Sequence, residues 1–480
     1  MSNNALPDEW TTLPLGEIVQ ISRGVTFPAS EKSLHSQENF VLCLRTSNVQ
    51  DEVDLGDVYY IPEAYVKRPD QWVQPGDILM SLSNSLELVG KVAVVRDVPE
   101  RTTVGAFLGI LRSDRVDQRY VFYGLRSPAI RRALYDSASR TVNIANLSIK
   151  RMGEIAFPVA PLDQQRRIVA KLEALLSHSR QAKDALDRIP ALVERYRKSL
   201  LAAACSGKLT EEWRKKNPDV EPAEMLLERI RGERRRRWED ETLTEFRARG
   251  RVPKDGGWRE KYQDPTPINV IGLPALPAGW CYASIESLTH LVTSGSRGWG
   301  QYYSGEGPLF LRVGDLNRGT VELDLRSVQR VQPPVGAEGE RTRAEAGDVL
   351  ISITADVGMI GLVPSDLGPA YVSQHVALTR PSSFLNSRAL AYLMLNPHGI
   401  QRSVQDAQYG MTKKQLSLPQ IRGLVVPLPP RQEQDELVRV VEEVLGKIAL
   451  LGAAVSEQSR RLCTLEQSAL FKAFQGRLCH

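Results

Sequence analysis

The side chains able to do bond-breaking chemistry are few, and none is spaced for it. Six histidines include no HExxH and no close pair, so a metal that activates water for hydrolysis finds no ligand set. A phosphate-cradling loop needs an upstream glycine and a following hydroxyl residue around Gly-Lys, because backbone amides must wrap the phosphates. Gly90-Lys91, Gly207-Lys208 and Gly446-Lys447 have neither. There is no GxSxG elbow to expose a serine nucleophile. His375 follows Gln374 in the apolar stretch Val372–Leu378, which predicts a hydrogen-bonded strand histidine rather than a base. Asn396-Pro397-His398 lacks the second proline and the aromatic of an Asn-Pro-Pro-aromatic tetrad and reads as a helix stop. The chain does not read as an enzyme.

Composition narrows the class further. The 480 residues carry 62 Lys+Arg against 57 Asp+Glu, a formal charge of +5, with 42% hydrophobic and 25% charged residues. Those values describe an ordinary globular chain of about two to four domains. An aromatic share of 6% argues against broad stacking platforms for single strands. No apolar run approaches the roughly 20 residues that span a bilayer, and Met1–Pro7 has no basic head or apolar stretch of a signal peptide. The five cysteines (Cys43, Cys205, Cys281, Cys463, Cys479) form no CxxC pair, so a reducing, cytoplasmic setting without membrane contact is expected.

The elements that must position any functional residue occur twice. Leu6-Pro7-Asp8-Glu9-Trp10 returns as Leu276-Pro277-Ala278-Gly279-Trp280, and Gly76-Asp77-Ile78-Leu79-Met80-Ser81 as Gly347-Asp348-Val349-Leu350-Ile351-Ser352. Gly90 returns as Gly361, Phe157-Pro158-Val159-Ala160-Pro161 as Val426-Pro427-Leu428-Pro429-Pro430, Gln165 as Gln434, and Ser206-Gly207-Lys208-Leu209 as Gln475-Gly476-Arg477-Leu478. The offset stays near ~270 residues throughout, which marks a tandem duplication. Each copy opens with short apolar runs cut by Gly, Pro, Asn and Asp, as at Val89–Val95 and Asp348–Ile353, with helices expected at Arg119–Leu134 and Ser387–Leu395.

Each copy closes with a long helix. Ile168, Leu172, Leu175, Ala182, Leu186, Ile189, Val193, Tyr196, Leu200 and Ala203 alternate steps of four and three, broken by Ser179. Leu437, Val441, Val444, Ile448, Leu451, Val455, Leu462, Leu465 and Ala469 do the same, broken by Gln458. A sustained 3.5-residue period predicts a coiled coil, about 60 Å long at 1.5 Å per residue, kinked at Pro190. A two-fold relation between the copies makes the pairing antiparallel, with the globular parts held for segments of duplex DNA one or two turns apart.

End to end, the chain resembles the specificity subunit of type I restriction–modification enzymes. The resemblance rests on the paired Gly-Asp-Ile-Leu and Gly-Asp-Val-Leu turns and the strand ends Ile21-Ser22-Arg23-Gly24 and Val292-Thr293-Ser294-Gly295. It rests also on Pro158–Val169, on Pro427–Gln434, and on the Gly-Lys-Leu type of helix ending. It implies an α+β fold: two pseudo-symmetric mixed α/β target recognition domains separated by two long helices that form an antiparallel coiled coil. The expected boundaries are 1–160 and 276–428 for the recognition domains, 161–207 and 429–480 for the spacer helices, and 208–275 for a charged, Pro/Gly-rich linker. Each domain would read half of a bipartite, asymmetric target in double-stranded DNA. The helices would dock two modification (methyltransferase) subunits, which restriction subunits join. S-adenosylmethionine, ATP and magnesium would belong to those partners, with no cofactor on this chain. A coiled-coil scaffold without sequence reading, or a self-contained DNA-modifying enzyme, are the alternatives. One departure is that the family's Asn-Gln-His-Val element survives as Ser373-Gln374-His375-Val376 but is Gly105-Ala106-Phe107-Leu108 in the first copy.

Phosphates are gripped by Lys and Arg, and base edges are read by Arg, Lys, Asn and Gln. On that basis the candidate contacts are Arg23, Thr26, Arg45, Asn48, Ser83, Asn84, Lys91, Arg140, Asn143 and Asn146 in the first domain. In the second they are Ser296, Arg297, Arg312, Gln374, Gln408, Tyr409, Lys413 and Lys414. Seam or docking positions on the helices are Ile168, Leu172, Leu175, Leu186, Val193, Leu200, Leu437, Val441, Val444, Ile448, Leu451, Leu462 and Leu465. The run Arg229–Trp238 holds six arginines and one glutamate; a solvated helix face is its ordinary meaning, and contact with DNA phosphate or an acidic patch on a partner is the alternative.

Overall fold

The computed structural model describes residues 6–50, 52–99, 101–140, 144–251, 253, 255–333, 336–396 and 415–478. The chain divides into two compact units, Met1–Arg188 with Ala454–His480, and Ile189–Ala453.

In the first unit a four-stranded antiparallel sheet runs in the order Gln20–Arg23, Leu108–Arg112, Ile78–Ser81, Val92–Val94. Successive side chains of a strand point to opposite faces, and here both faces are covered. Ile78 and Met80 join a core built with the helices, while Leu79 and Ile110 join another core on the opposite face. That double burial is why Ile78–Met80 is continuously apolar rather than alternating. A second sheet, Tyr59–Pro62, Phe40–Leu44 and Thr102–Val104, ends in a parallel pair.

The second unit repeats the plan. Its sheet runs Thr289–Ser294, Val376–Pro381, Val349–Ser352, Ile360–Leu362, and Val349 and Ile351 face one core while Leu350 faces another. The Gly-Asp turns are structural in both copies. Gly76 and Gly347 have φ of +93° and +87°, a region that glycine enters without strain. The Asp77 carboxylate takes Arg112 Nε at 2.6 Å, and Asp348 takes Arg380 Nε at 2.8 Å. Both aspartates are buried.

The helix expected over Arg119–Leu134 is two helices, Gln118–Arg126 and Pro128–Ser137. The residue before a proline is driven out of the helical region, and Ser127 sits at φ −65°, ψ 145°. The second unit has Ser387–Met394, capped by Asn386.

Two long helices follow, Leu162–Cys205 of 44 residues and Arg431–Ala473 of 43. The kink expected at Pro190 does not interrupt the first. Each start is clamped by the glutamine of the Pro-x-x-x-Gln motif. Gln165 accepts from Asp117 N at 2.8 Å and donates to Ala160 O at 2.7 Å; Gln434 accepts from Asn386 N at 2.9 Å and donates to Pro429 O at 2.9 Å. Each end is fixed by a left-handed glycine. A Cβ on Gly207 would meet Pro277 Cγ at 2.5 Å, and one on Gly476 would meet Pro7 Cγ at 2.3 Å. The Leu-Pro-x-x-Trp motifs are therefore the seats for the helix ends.

The helices pair antiparallel. In the first unit Ile168 and Leu172 pack with Leu470, Ala473 and Phe474, and Ser179 Oγ donates to Glu466 Oε1 at 2.6 Å. In the second, Leu200 and Ala204 share a core with Leu437 and Val441. One row of the expected register faces inward at Leu172, Leu186, Val193, Leu200, Val441, Ile448 and Leu462. The other row lies outside the seam: Leu175, Leu451 and Leu465 are 44%, 46% and 63% exposed, which leaves the docking role expected for them open to a partner. Leu176 and Glu466, one residue on from Leu175 and Leu465, are less exposed, as is Arg197 beside Tyr196. Two of those are charged, so counting apolar residues alone could not find them. Val444 is half-buried against the second unit's core.

The expected linker over 208–275 is in part core. Thr210 is buried and donates to Glu433 Oε1 at 2.6 Å. The helix Ala223–Ala248 buries Ala223, Leu226, Leu227 and Ile230 in the second unit.

Candidate nucleic-acid interface

The edge of each main sheet needs a glycine before a functional loop can form. A Cβ on Gly24 would lie 2.3 Å from Val104 O, and one on Gly295 2.2 Å from Val372 O. No side chain tolerates such an approach, which explains the Arg-Gly and Ser-Gly strand ends. Behind the glycines, Thr26 and Arg297 are exposed, as is Arg23 ahead of Gly24.

In the first unit the structure brings separate candidates together. Ser83-Asn84 pairs with Ala145-Asn146, which pairs with Ser139-Arg140, giving a three-stranded patch with Asn146 opposite Ser83. Ser83, Asn84 and Asn146 are half-buried. Lys91 donates to Gln50 Oε1 at 2.7 Å. Arg45 is engaged locally: Nη1 donates to the Tyr59 hydroxyl at 2.5 Å, the guanidinium lies 4.4 Å from the centroid of that ring, and it pairs with Asp57. Asn48 is corrected from contact to turn-builder. It is 1% exposed; Oδ1 accepts from Arg45 N at 2.7 Å and Nδ2 donates to Asp54 O at 2.7 Å and Asp57 O at 2.9 Å.

In the second unit Ser296, Arg312, Gln374 and His375 line one cleft of about 430 Å³ with Trp299 and Phe310. The two rings stack at 5.1 Å and 11°. Asp315 accepts from Arg312 N at 2.7 Å and, like Asn48, builds the turn; burial pushes its carboxyl up. Among the described residues the Arg312 guanidinium has no hydrogen bond or ion pair, so it faces the cleft uncommitted. His375 is not in a strand: it occupies the turn before Val376, exposed, with Nδ1 2.8 Å from Thr354 Oγ1 and Nε2 2.8 Å from Gln374 Nε2. Gln374 Oε1 is buried without a protein hydrogen-bond partner. Trp299 and His375 were not among the candidates. The Gln-His pair was visible in sequence, but its accessibility was not. Asn143, Gln408, Tyr409, Lys413 and Lys414 lie outside the described residues, and Arg140 is described only in its backbone.

The arginine run is largely neutralised. Arg229 pairs with Glu221 and Arg231 with Glu228 at 2.6 Å, and Arg235 with Glu239 and Arg237 with Glu233 at 3.3 and 3.2 Å. Arg234 donates to Thr289 O at 2.8 Å. No group of His, Cys, Asp and Glu among the described residues is placed to hold a metal ion, and no described helix is long and apolar enough to cross a membrane. Burial pushes the Cys43, Cys205 and Cys281 thiols up to about 12, so none of the three is a thiolate nucleophile at neutral pH.

A duplicated α+β scaffold with antiparallel long helices, carrying polar side chains on its strand-end turns and a cleft on those of the second unit, defines a class of modular recognition protein. Residues 7–189 and 337–457 match the model of the type I restriction modification DNA specificity domain, and the chain belongs to that family. It is 26% identical to the type I restriction enzyme EcoKI specificity subunit of Escherichia coli K12, covering 100% of this chain and 91% of the relative. It is 25% identical to the StySPI specificity subunit of Salmonella potsdam, covering 100% and 91%. A chain from a structure of complex assembly and conformational transition of the type I R-M system superposes with a TM-score of 0.67 at 20% identity, covering 99% of this chain and 100% of that one. An HsdS subunit from Thermoanaerobacter tengcongensis gives 0.54 at 19%, covering 98% of each. At these identities the two structures speak to the fold.

Proposed function

We propose that this chain is the DNA sequence-specificity subunit of a type I restriction–modification enzyme. Each recognition domain reads one half of a bipartite, asymmetric target in double-stranded DNA. The helices dock two modification subunits and so direct methylation and, where restriction subunits join, cleavage. The chain itself does no chemistry, works in the cytoplasm, and leaves S-adenosylmethionine, ATP and magnesium to its partners. The supporting observation is the sheet-end turn built on one plan in both units and furnished differently: Phe107 in one, Gln374-His375 beside Arg312 in the other. One scaffold with two side-chain sets suits two different half-sites. The first-domain readers are drawn from Arg23, Thr26, Ser83, Asn84, Lys91, Arg140, Asn143 and Asn146. The second-domain readers are drawn from Ser296, Arg297, Arg312, Gln374, Gln408, Tyr409, Lys413 and Lys414.

Methylome sequencing of the host with and without this chain tests the reading. A bipartite methylated motif that disappears on deletion is expected; a motif that persists rejects it. The purified chain given DNA, S-adenosylmethionine, ATP and magnesium should neither methylate nor cleave. Either activity without partners would make it an enzyme in its own right.

A further inference from the structure

The turn entering the second strand in each main sheet's order, Leu108–Arg112 in one unit and Val376–Pro381 in the other, has the same backbone design in both. Leu108 N bonds Gly105 O at 2.8 Å, and Leu82 N bonds Phe107 O at 2.8 Å. Correspondingly, Val376 N bonds Ser373 O at 3.1 Å, and Ile353 N bonds His375 O at 3.0 Å. Phe107 and His375 therefore hold equivalent places. The imidazole is tied to Thr354 and Gln374. The phenyl ring instead is 64% exposed, belongs to none of the described apolar clusters and pairs with no described aromatic ring.

A lone exposed apolar residue is ordinary on a protein surface; this one is distinguished by its setting. Its carbonyl is fixed by two amides, Leu82 N and Ser83 N, the second at 3.2 Å. The same segment carries Ser83 and Asn84, and Asn146 lies directly across from Ser83. An exposed ring on a held backbone thus stands next to a segment that carries amide and hydroxyl side chains. In the major groove thymine alone among the four bases presents a methyl group, while cytosine carries only a hydrogen at that carbon and an amino donor in place of thymine's O4 acceptor. An apolar tip flanked by polar readers separates those two pyrimidines.

We infer that Phe107 reads a thymine through its 5-methyl group in the half-site addressed by the first domain. This rests on the DNA-reading role proposed above. The His375-Gln374 pair equips the equivalent turn of the second domain for hydrogen-bonded readout, so the two half-sites differ in the chemistry that recognises them.

The test starts from the methylated motif of the host. Duplexes carrying it, with each thymine replaced in turn by deoxyuridine, are bound to the full chain assembled with its modification subunits. Deoxyuridine removes only the methyl group. One replacement should weaken the wild type about tenfold, in the range of a lost base contact, and leave Phe107→Ala and Phe107→His unaffected. Both variants should bind the unmodified duplex about tenfold more weakly and methylate sites with either pyrimidine at that position. Unchanged thermal melting of Phe107→Ala confirms its fold; should it melt early, Phe107→His carries the comparison. The inference is overturned if no thymine is sensitive. It is overturned equally if the variants lose the same affinity on both duplexes, as a ring wedged between bases would require, or if specificity does not change. Absence of any motif in the wild type would instead remove the DNA-reading role itself.

Discussion

Arg214→Met isolates the joint between the second long helix and its recognition domain. Glu433, in the first turn of that helix, is 0% exposed. Its carboxylate receives Arg214 Nη2 at 2.8 Å and Nε at 3.1 Å, Thr210 Oγ1 at 2.6 Å and Trp280 Nε1 at 2.8 Å. Removing the guanidinium leaves a buried carboxylate with two neutral donors. Breaking a buried pair from one side costs about 3–5 kcal/mol. The surviving bonds to an ionised acceptor, worth about 1.5–3 kcal/mol each, put the cost at the lower end, about 3 kcal/mol. For a domain of this size that is about 6–12 °C in Tm. Glu433→Gln keeps an acceptor for Trp280 while removing the charge, so the double variant should be more stable than Arg214→Met alone, with a coupling of about 2 kcal/mol. The first unit supplies an internal control. There Trp10 Nε1 donates to neutral Gln164 at 2.8 Å, so its melting should not move. Scanning calorimetry of the four proteins of the cycle measures all of this. A Tm change below about 2 °C in Arg214→Met, or no recovery in the double variant, would refute the argument that a buried charge is being held.

Other residues separate structure from reading. Asn48→Ala leaves the Asp54 and Asp57 carbonyls and the Arg45 amide short of partners, so it should lower stability by about 1–3 kcal/mol while the methylated motif stays unchanged. Gln374→Ala should do the reverse: stability held, discrimination at one position of the second half-site reduced by about 1–3 kcal/mol, read by competition binding of single-base variants. His290 sits at the bulge of the edge strand Thr289–Ser294 of the second unit's sheet, where burial and then Arg237 lower its pKa to about 4 from 6.5. Below about pH 6.5 the unfolded chain takes up a proton that the folded unit refuses, so stability present above that pH is lost as pH falls toward about 4. His290→Gln should flatten that acid limb in pH-dependent melting.

The elements legible in sequence were those whose signal is local or repeated. The Gly-Asp turns, the Leu-Pro-x-x-Trp motifs and the long helices recur at matched offsets, and the structure gives each a mechanical reason: a positive-φ glycine, a seat for a helix end, a glutamine clamp. Reading stopped where side chains choose partners far away in sequence. Arg45 and Arg312 occupy equivalent turns, yet Asp57 and Tyr59 hold the first while the second faces a cleft. Asn48 has a reader's chemistry and spends it on its own turn. The insert was read as linker because its charges mask Leu226, Leu227 and Ile230, which only a neighbouring sheet reveals as core.

Charge shows the same limit from the other side. The run Arg229–Trp238 has a local excess equal to the whole chain's +5, which invites a phosphate-binding role. In the folded chain Glu221, Glu228, Glu233 and Glu239 answer four of its six arginines and a backbone carbonyl answers a fifth. Exposed helix pairs of this kind contribute only a few tenths of a kcal/mol each, but they remove the cationic face. What remains for DNA is a small number of uncommitted groups held on rigid turns. On the function proposed above, discrimination between half-sites depends on which turn carries a ring and which carries an amide, and net charge carries no information about that.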